Sequence, residues 1–160
     1  MEEIYKEYSK YVFKYLLSFT NNVEIAEELM QETFYSAIKN IHKFQNNSSL
    51  KTWLYKIAKN KWLDYYKTTK KIQETDIDEI SEKFLLINSF EEDYANKDEL
   101  IDVYKKIHML DEKSKEVIYL RIKCEFNFKE IGNIMGKTEE WARITFYRAK
   151  IKLKEDFENE

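Results

Sequence analysis

SLKTWLYKIAKNKWLDYYK, residues 49–67, reads as a helix throughout and carries the chain's most unusual chemistry. At about 100° per residue it has two faces. One carries Leu50, Trp53, Leu54, Ile57 and Tyr65, enough apolar surface to bury against a core. The other carries Tyr55, Lys56, Lys59, Trp62 and Tyr66. Lysines interleaved with flat rings suit a surface that meets nucleic acid. Ammonium groups neutralise phosphates, and rings stack on unpaired bases at roughly 1–3 kcal/mol each. The same pattern fits a solvated helix whose lysines lie along apolar surface and whose rings pack on neighbours. By itself the stretch leaves both readings open.

The rest of the chain supports a helical fold. Its 160 residues suffice for one ordinary domain or two small ones. There is no proline, and the only glycines are Gly132 and Gly136. Sheet-rich folds need turn glycines and prolines, so an all-α protein is expected. A hydrophobic fraction of 43% with 36% charged residues fits a soluble protein, and no apolar run approaches the ~20 residues of a membrane span. The N-terminal MEEIYKEYSKYVFKY is charged and periodic, unlike a signal peptide, so a cytoplasmic location is expected. The single cysteine, Cys124, cannot build a disulfide framework and reads as a small buried hydrophobe.

Net charge is −3, which argues against a nucleic-acid partner until its distribution is considered. Residues 72–102 hold 11 acidic residues against 2 lysines, a net of −9. Residues 1–71 have a net of +4 and residues 103–160 a net of +2. Two mildly basic blocks flank a strongly acidic one.

Residues 2–19 read as a first helix, with Ile4, Tyr8, Tyr11, Val12, Tyr15, Leu16 and Phe19 at helical spacing. Asn21, with Glu24 three positions on, is the expected cap of a second helix over about 22–41. Its apolar stripe is Ile25, Leu29, Thr33, Phe34, Ala37, Ile38 and Ile41, and its other face is Glu24, Glu27, Glu28, Gln31 and Glu32. The polar loop 44–49 leads to Ser48 or Ser49 as cap of the third helix. Residues 67–88 read as a polar tether interrupted by one apolar run, 84–87. Ser89 with Glu92 resembles a capping box, opening a helix to about His108 that holds Leu100, Ile101, Tyr104 and Ile107 inside.

Three helix signals follow closely. Asp111 caps a helix with Val117, Ile118, Leu120 and Ile122 as core positions; Asn127, with Glu130 three on, caps a short one. Gly136–Lys137–Thr138 is a tight turn into a long helix over about 139–156. A short helix, a glycine turn and a second helix make a helix-turn-helix pattern. The long helix buries Ala142, Phe146, Ala149 and Leu153 and presents Arg143, Ile144, Tyr147, Arg148, Ile151 and Lys154. Arg143 and Arg148 stand out in a chain that otherwise uses lysine, with Arg121 the only other arginine. Their planar bidentate bonding suits guanine and phosphate.

In this order the blocks resemble a known family. IAEELMQETF (25–34) followed by SSLKTWLYKIAKNKWLDYYK (48–67) resembles region two of the extracytoplasmic-function (ECF) sigma factors of the sigma-70 family, and residues 110–153 resemble their region four. The resemblance implies a region-two-like domain over 1–70, an acidic linker over 71–90 and a region-four-like helix-turn-helix domain over 91–160. It implies binding to core RNA polymerase and promoter DNA, with an anti-sigma factor as a further partner, and neither cofactor nor membrane insertion. Glu28, Gln31 and Glu32 would sit on the clamp helices of the largest polymerase subunit, where acidic groups meet a basic protein surface. Asn46, Ser48, Lys56, Lys59, Asn60 and Asp64 fall on positions that hold the single-stranded minus-ten element, beside the surface aromatics Tyr55, Trp62 and Tyr66. The long helix would read the minus-thirty-five element with Arg143, Ile144, Tyr147, Arg148, Lys150 and Lys154. The chain departs from the family at Tyr65, Tyr66 and Lys67, where members often carry arginines, and at Trp141–Ala142, where many have Thr-Val.

No enzyme is expected. His42 and His108 are the only histidines, neither sits in a Glu-x-x-His pair, one cysteine leaves a zinc site short of ligands, and the two glycines form no phosphate loop. The alternative to a sigma factor is a free-standing helix-turn-helix regulator with an N-terminal dimerising or sensing bundle. The acidic face of the second helix is a poor dimer seam and counts against it.

Overall fold

The computed structural model describes residues 1–69 and 97–159, which are helical apart from short connections. The first group comprises α1 (Glu2–Thr20), α2 (Val23–Asn40), a 3-10 turn (Ile41–Lys43) and α3 (Leu50–Thr69). The second comprises α4 (Lys97–His108), α5 (Glu112–Ile122), α6 (Phe128–Met135) and α7 (Glu139–Glu158). The expected all-α class with a helix-turn-helix at its end is what forms. The capping box at Ser89 and Glu92, the apolar run 84–87 and the acidic tether lie outside the described residues.

Local chemistry explains the helix ends. Two consecutive asparagines divide the work between α1 and α2. Asn21 adopts the left-handed conformation (φ 49°) and donates its N–H to the Leu17 carbonyl, ending α1. Asn22 is extended, and its side chain accepts from the Ile25 amide, opening α2. The expected cap at Asn21 is thus displaced by one residue, because a two-residue corner needs a left-handed stop before its cap. Ser49 Oγ accepts from the Thr52 amide at 3.1 Å and opens α3. Asn127 and Glu130 form the expected reciprocal capping box, and Thr138 caps α7 through the Trp141 amide.

Asp111 caps α5 by accepting from the Ser114 amide and hydroxyl at 3.0 and 2.6 Å. The hydroxyl bond, with the amide behind it, holds the Asp111 carboxyl below its ordinary 3.8. A lowered carboxyl stabilises the fold above its ordinary range and loses that contribution as pH falls through the folded value. Asp111→Ala will therefore cost about 1 kcal/mol near neutral pH. Thermal melts of the variant and the parent will converge as the pH is lowered past the carboxylate range.

The two helical groups share one core. Val12, Tyr15, Leu16, Ala26, Leu29, Phe34, Leu54, Tyr55 and Ala58 of the first pack with Val117, Leu120, Cys124, Phe126, Ile131, Ile134 and Ala142 of the second. A smaller cluster of Leu110, Ile118 and Ala149, flanked by Ile107, Phe146 and Leu153, ties α4 and α5 to α7. Four residues expected in apolar stripes stand out in solvent: Tyr11, Ile38, Ile41 and Ile122. Ile122 is displaced because the buried stripe beyond α5 runs through Glu116, Leu120 and Cys124, spaced by four, which points Ile122 away.

Candidate nucleic-acid interface

α3 crosses the molecule between the two groups, packing on α1 and α2 on one side and on α6 on the other. This double cover corrects the two-face reading of its sequence. Tyr55, expected on the open face with the lysines, is 1% exposed. Its ring lies against Tyr15 at 4.8 Å and meets the edge of Phe126 at 4.9 Å. Burial, and then the neighbouring Cys124, push the Tyr55 hydroxyl well above its ordinary range. A fixed core ring cannot stack on a base. Trp53, expected inside, is half-buried and leans on Phe44 at 5.2 Å.

The remaining α3 residues form two zones. Towards the C-terminal end, Trp62 is half-buried and stacks on Phe19 at 5.7 Å with planes only 10° apart. Tyr66 leans on Trp62 at 5.7 Å and is 43% exposed, while Asn60 and Asp64 are also exposed. The rings thus make a ladder from the core to the surface, with Tyr66 its accessible end. Towards the second group, Lys59 Nζ pairs with Glu116 Oε2 at 2.7 Å, Lys56 Nζ donates to Asn133 Oδ1 at 3.3 Å, and Lys51 Nζ donates to the Cys124 carbonyl at 2.6 Å. In the preceding loop Asn46 is exposed with φ 56°, and Ser48 is half-buried.

The other two expected surfaces are open. Glu28, Gln31 and Glu32 are all exposed along one side of α2, with Tyr35 beside them at 69% exposure. A loose ion pair joins Lys61 to Glu32 at 3.7 Å. On α7 the buried Ala142 and Ala149 face the core, and Arg143, Ile144, Tyr147, Arg148, Lys150 and Lys154 all face out. Arg143 is steadied by Glu139 at 3.1 Å and lies 5.7 Å from the Phe128 ring. Arg121 is a different kind of arginine. Its guanidinium donates to the Phe126 carbonyl at 2.9 Å and covers the Phe128 ring at 4.6 Å, bracing the turn before α6. Trp141, where the chain departs from the family pattern, is half-buried against the core.

One residue of consequence, Glu116, lies outside the patterns named from the sequence. Glu116 is 5% exposed and accepts from the Tyr15 hydroxyl at 2.6 Å while pairing with Lys59. The signal was present: spacings of four place Glu116, Leu120 and Cys124 on one stripe, and a carboxylate on an apolar stripe needs a partner. Cys124 is itself buried, and desolvation pushes its thiol up to about 11. Among the described residues no group of three or more His, Cys, Asp or Glu could hold a metal ion, and no helix is long and apolar enough to cross a membrane.

Comparison with known proteins follows the same division. Residues 4–72 match the model of Sigma-70 region 2, and residues 107–155 match that of Sigma-70, region 4. The chain is 31% identical over 154 residues to the ECF RNA polymerase sigma factor SigM of Bacillus subtilis, covering 96% of this chain and 93% of that one. It is 27% identical over 157 residues to the RNA polymerase sigma factor YlaC of the same organism, covering 98% and 91%. Among solved structures, the sigma factor RpoE of Bartonella quintana, crystallised with the anti-sigma factor NepR, shares the fold with a TM-score of 0.71 at 20% identity, covering 97% of this chain and 96% of that one. With both regions present in order and a relative alike along nearly its whole length, the chain belongs to the sigma-70 family of RNA polymerase sigma factors, in the extracytoplasmic-function group.

Proposed function

We infer that this protein directs core RNA polymerase to specific promoters and assists their opening at the start of transcription. The observation that carries this is the presence, in one chain and in order, of region 2 and region 4 of the sigma-70 family. Its work is binding rather than catalysis, and it acts in the cytoplasm, where its polymerase partner is. In this reading residues 1–70 bind the polymerase and the minus-ten element, 71–90 link, and 91–160 bind the minus-thirty-five element. The exposed acidic side of α2, with Glu28, Gln31 and Glu32, docks on the polymerase. Asn46, Ser48, Lys56, Lys59, Asn60 and Asp64 hold the opened minus-ten strand, and Tyr66, backed by Trp62, offers it a stacking surface. Arg143 and Arg148, with Ile144, Tyr147, Lys150 and Lys154, enter the major groove of the minus-thirty-five duplex. The polymerase fixes the spacing of two contacts that are weak singly, so avidity supplies the affinity. An anti-sigma factor is a further partner, as RpoE has in its crystal structure.

The test is transcription in vitro. Core polymerase supplied with this protein over a genomic library will initiate at discrete start sites absent without it; no initiation from an active core would overturn the reading. Glu28→Lys with Gln31→Ala will weaken polymerase binding by about tenfold or more, because it puts a cation where an acidic face meets a basic one. Binding that survives the change would reject the role given to α2.

A further inference from the structure

We propose that Glu139 is a specificity-determining residue of α7, an inference that rests on the reading of α7 as the minus-thirty-five helix. Together with Arg143 it reads one G·C base pair of that duplex. Arg143 donates to the guanine, and the Glu139 carboxylate accepts from the amino group of the cytosine. Glu139 is the first residue of α7, directly after the Thr138 cap, and Arg143 follows about one turn later. Residues at the N-terminal end of a recognition helix are the ones that reach base edges. Arg143 Nη2 meets Glu139 Oε1 at 3.1 Å, and side-chain exposures of 49% and 51% leave both groups accessible to a base edge.

Stability gains little from an exposed ion pair one turn apart. Recognition gains more. A lone carboxylate in the groove is repelled by phosphates. This one sits at the positive end of α7 and against a guanidinium, so the pair brings no net charge with it. The major-groove edge of a G·C pair presents two acceptors on guanine and an amino donor on cytosine. A guanidinium beside a carboxylate presents the complementary set, donors and then an acceptor. Arginine carries five N–H groups in a planar fork, so Arg143 can keep Glu139 while donating to guanine N7 and O6. An A·T pair reverses the order, with its amino donor on the purine and a carbonyl on the pyrimidine, and sets donor against donor and acceptor against acceptor. The fork is also backed from behind. The Phe128 ring lies 5.7 Å from the Arg143 guanidinium and packs on Phe146 and Tyr147 at 5.6 and 6.1 Å. A side chain steadied in this way loses less freedom on binding.

The test uses holoenzyme assembled from core polymerase and the full chain. It is bound to a promoter duplex mapped by transcription and varied one base pair at a time across the minus-thirty-five element. The parent will bind about tenfold more weakly when one particular G·C pair is replaced. Glu139→Ala and Arg143→Ala will each flatten the preference at that pair and leave the other positions ranked as in the parent. Glu139→Ala will melt with the parent, because the residue is exposed and the Thr138 cap stays in place. N4-methylcytosine at that pair keeps the base pairing and puts a methyl group where the amino N–H faces the groove. It will weaken binding of the parent about tenfold and of Glu139→Ala by less than about twofold. An unchanged preference profile in Glu139→Ala overturns the proposal, as does tighter binding to every sequence by one factor, since the carboxylate is then a surface charge only. An equal response of parent and Glu139→Ala to the methylated cytosine overturns it too. The reading of α7 fails separately, if Arg143→Ala combined with Arg148→Ala leaves the whole profile intact.

Discussion

Gly132→Ala is expected to destabilise the helix-turn-helix by about 2–3 kcal/mol, the upper part of the range for overpacking against a neighbour that cannot yield. A Cβ on Gly132 would lie 2.8 Å from the carbonyl carbon and oxygen of Thr138 and 2.9 Å from the oxygen of Lys137. All three are backbone atoms, so no rotamer change relieves the clash. Thr138 O is also an acceptor, from the Ala142 amide at 3.2 Å, and the Lys137 amide ties the turn back to Gly132 O at 2.8 Å. The methyl group would push the start of α7 away from α6 and tilt the face that carries Arg143 and Arg148. Gly136 is the glycine that a reader of the sequence would single out, since it makes the turn. It has φ 66°, yet nothing lies within 4 Å of its would-be Cβ. Gly136→Ala therefore costs only the left-handed penalty, about 1 kcal/mol. Urea denaturation of the two variants will rank them, and equal losses would show that α6 and α7 can separate without strain. The Gly132 variant will also lose promoter recognition at the minus-thirty-five element.

The second large effect separates two tyrosines eleven positions apart on α3. Tyr55→Ala will cost about 3–5 kcal/mol, as for other large rings removed from a packed core. That is a large share of the roughly 5–15 kcal/mol that holds an ordinary domain together. The ring is fully enclosed by Tyr15 and Phe126, and its loss opens a cavity on the seam between the helical groups. Tyr66→Ala will leave the melting temperature nearly unchanged, because the ring is 43% exposed and only its inner edge meets Trp62. In the proposed function it will instead weaken minus-ten strand binding by roughly 1–3 kcal/mol, the worth of one stacked base. Thermal melts and initiation assays on the same two proteins give opposite rankings if the assignment is right. A stable, fully folded Tyr55→Ala protein would contradict the packing of α3.

The sequence by itself determined what depends on neighbours a few residues away. Helix period, the caps at Asp111 and Asn127, and the outward face of α7 all follow from local backbone geometry and are found where they were expected. Glu28, Gln31 and Glu32 on α2 are exposed, as the polarity of that side predicts. The tertiary structure decided what depends on who the neighbours are. A helical wheel has one inside only if a helix is covered from one side, and α3 is covered from two. That is why Tyr55 is core while Tyr66 is surface, although the wheel placed both on one face. Glu116 carries the same lesson. Its charge and its stripe were visible, but a buried carboxylate is permitted only by partners, and Tyr15 and Lys59 come from helices that chain order does not place beside it.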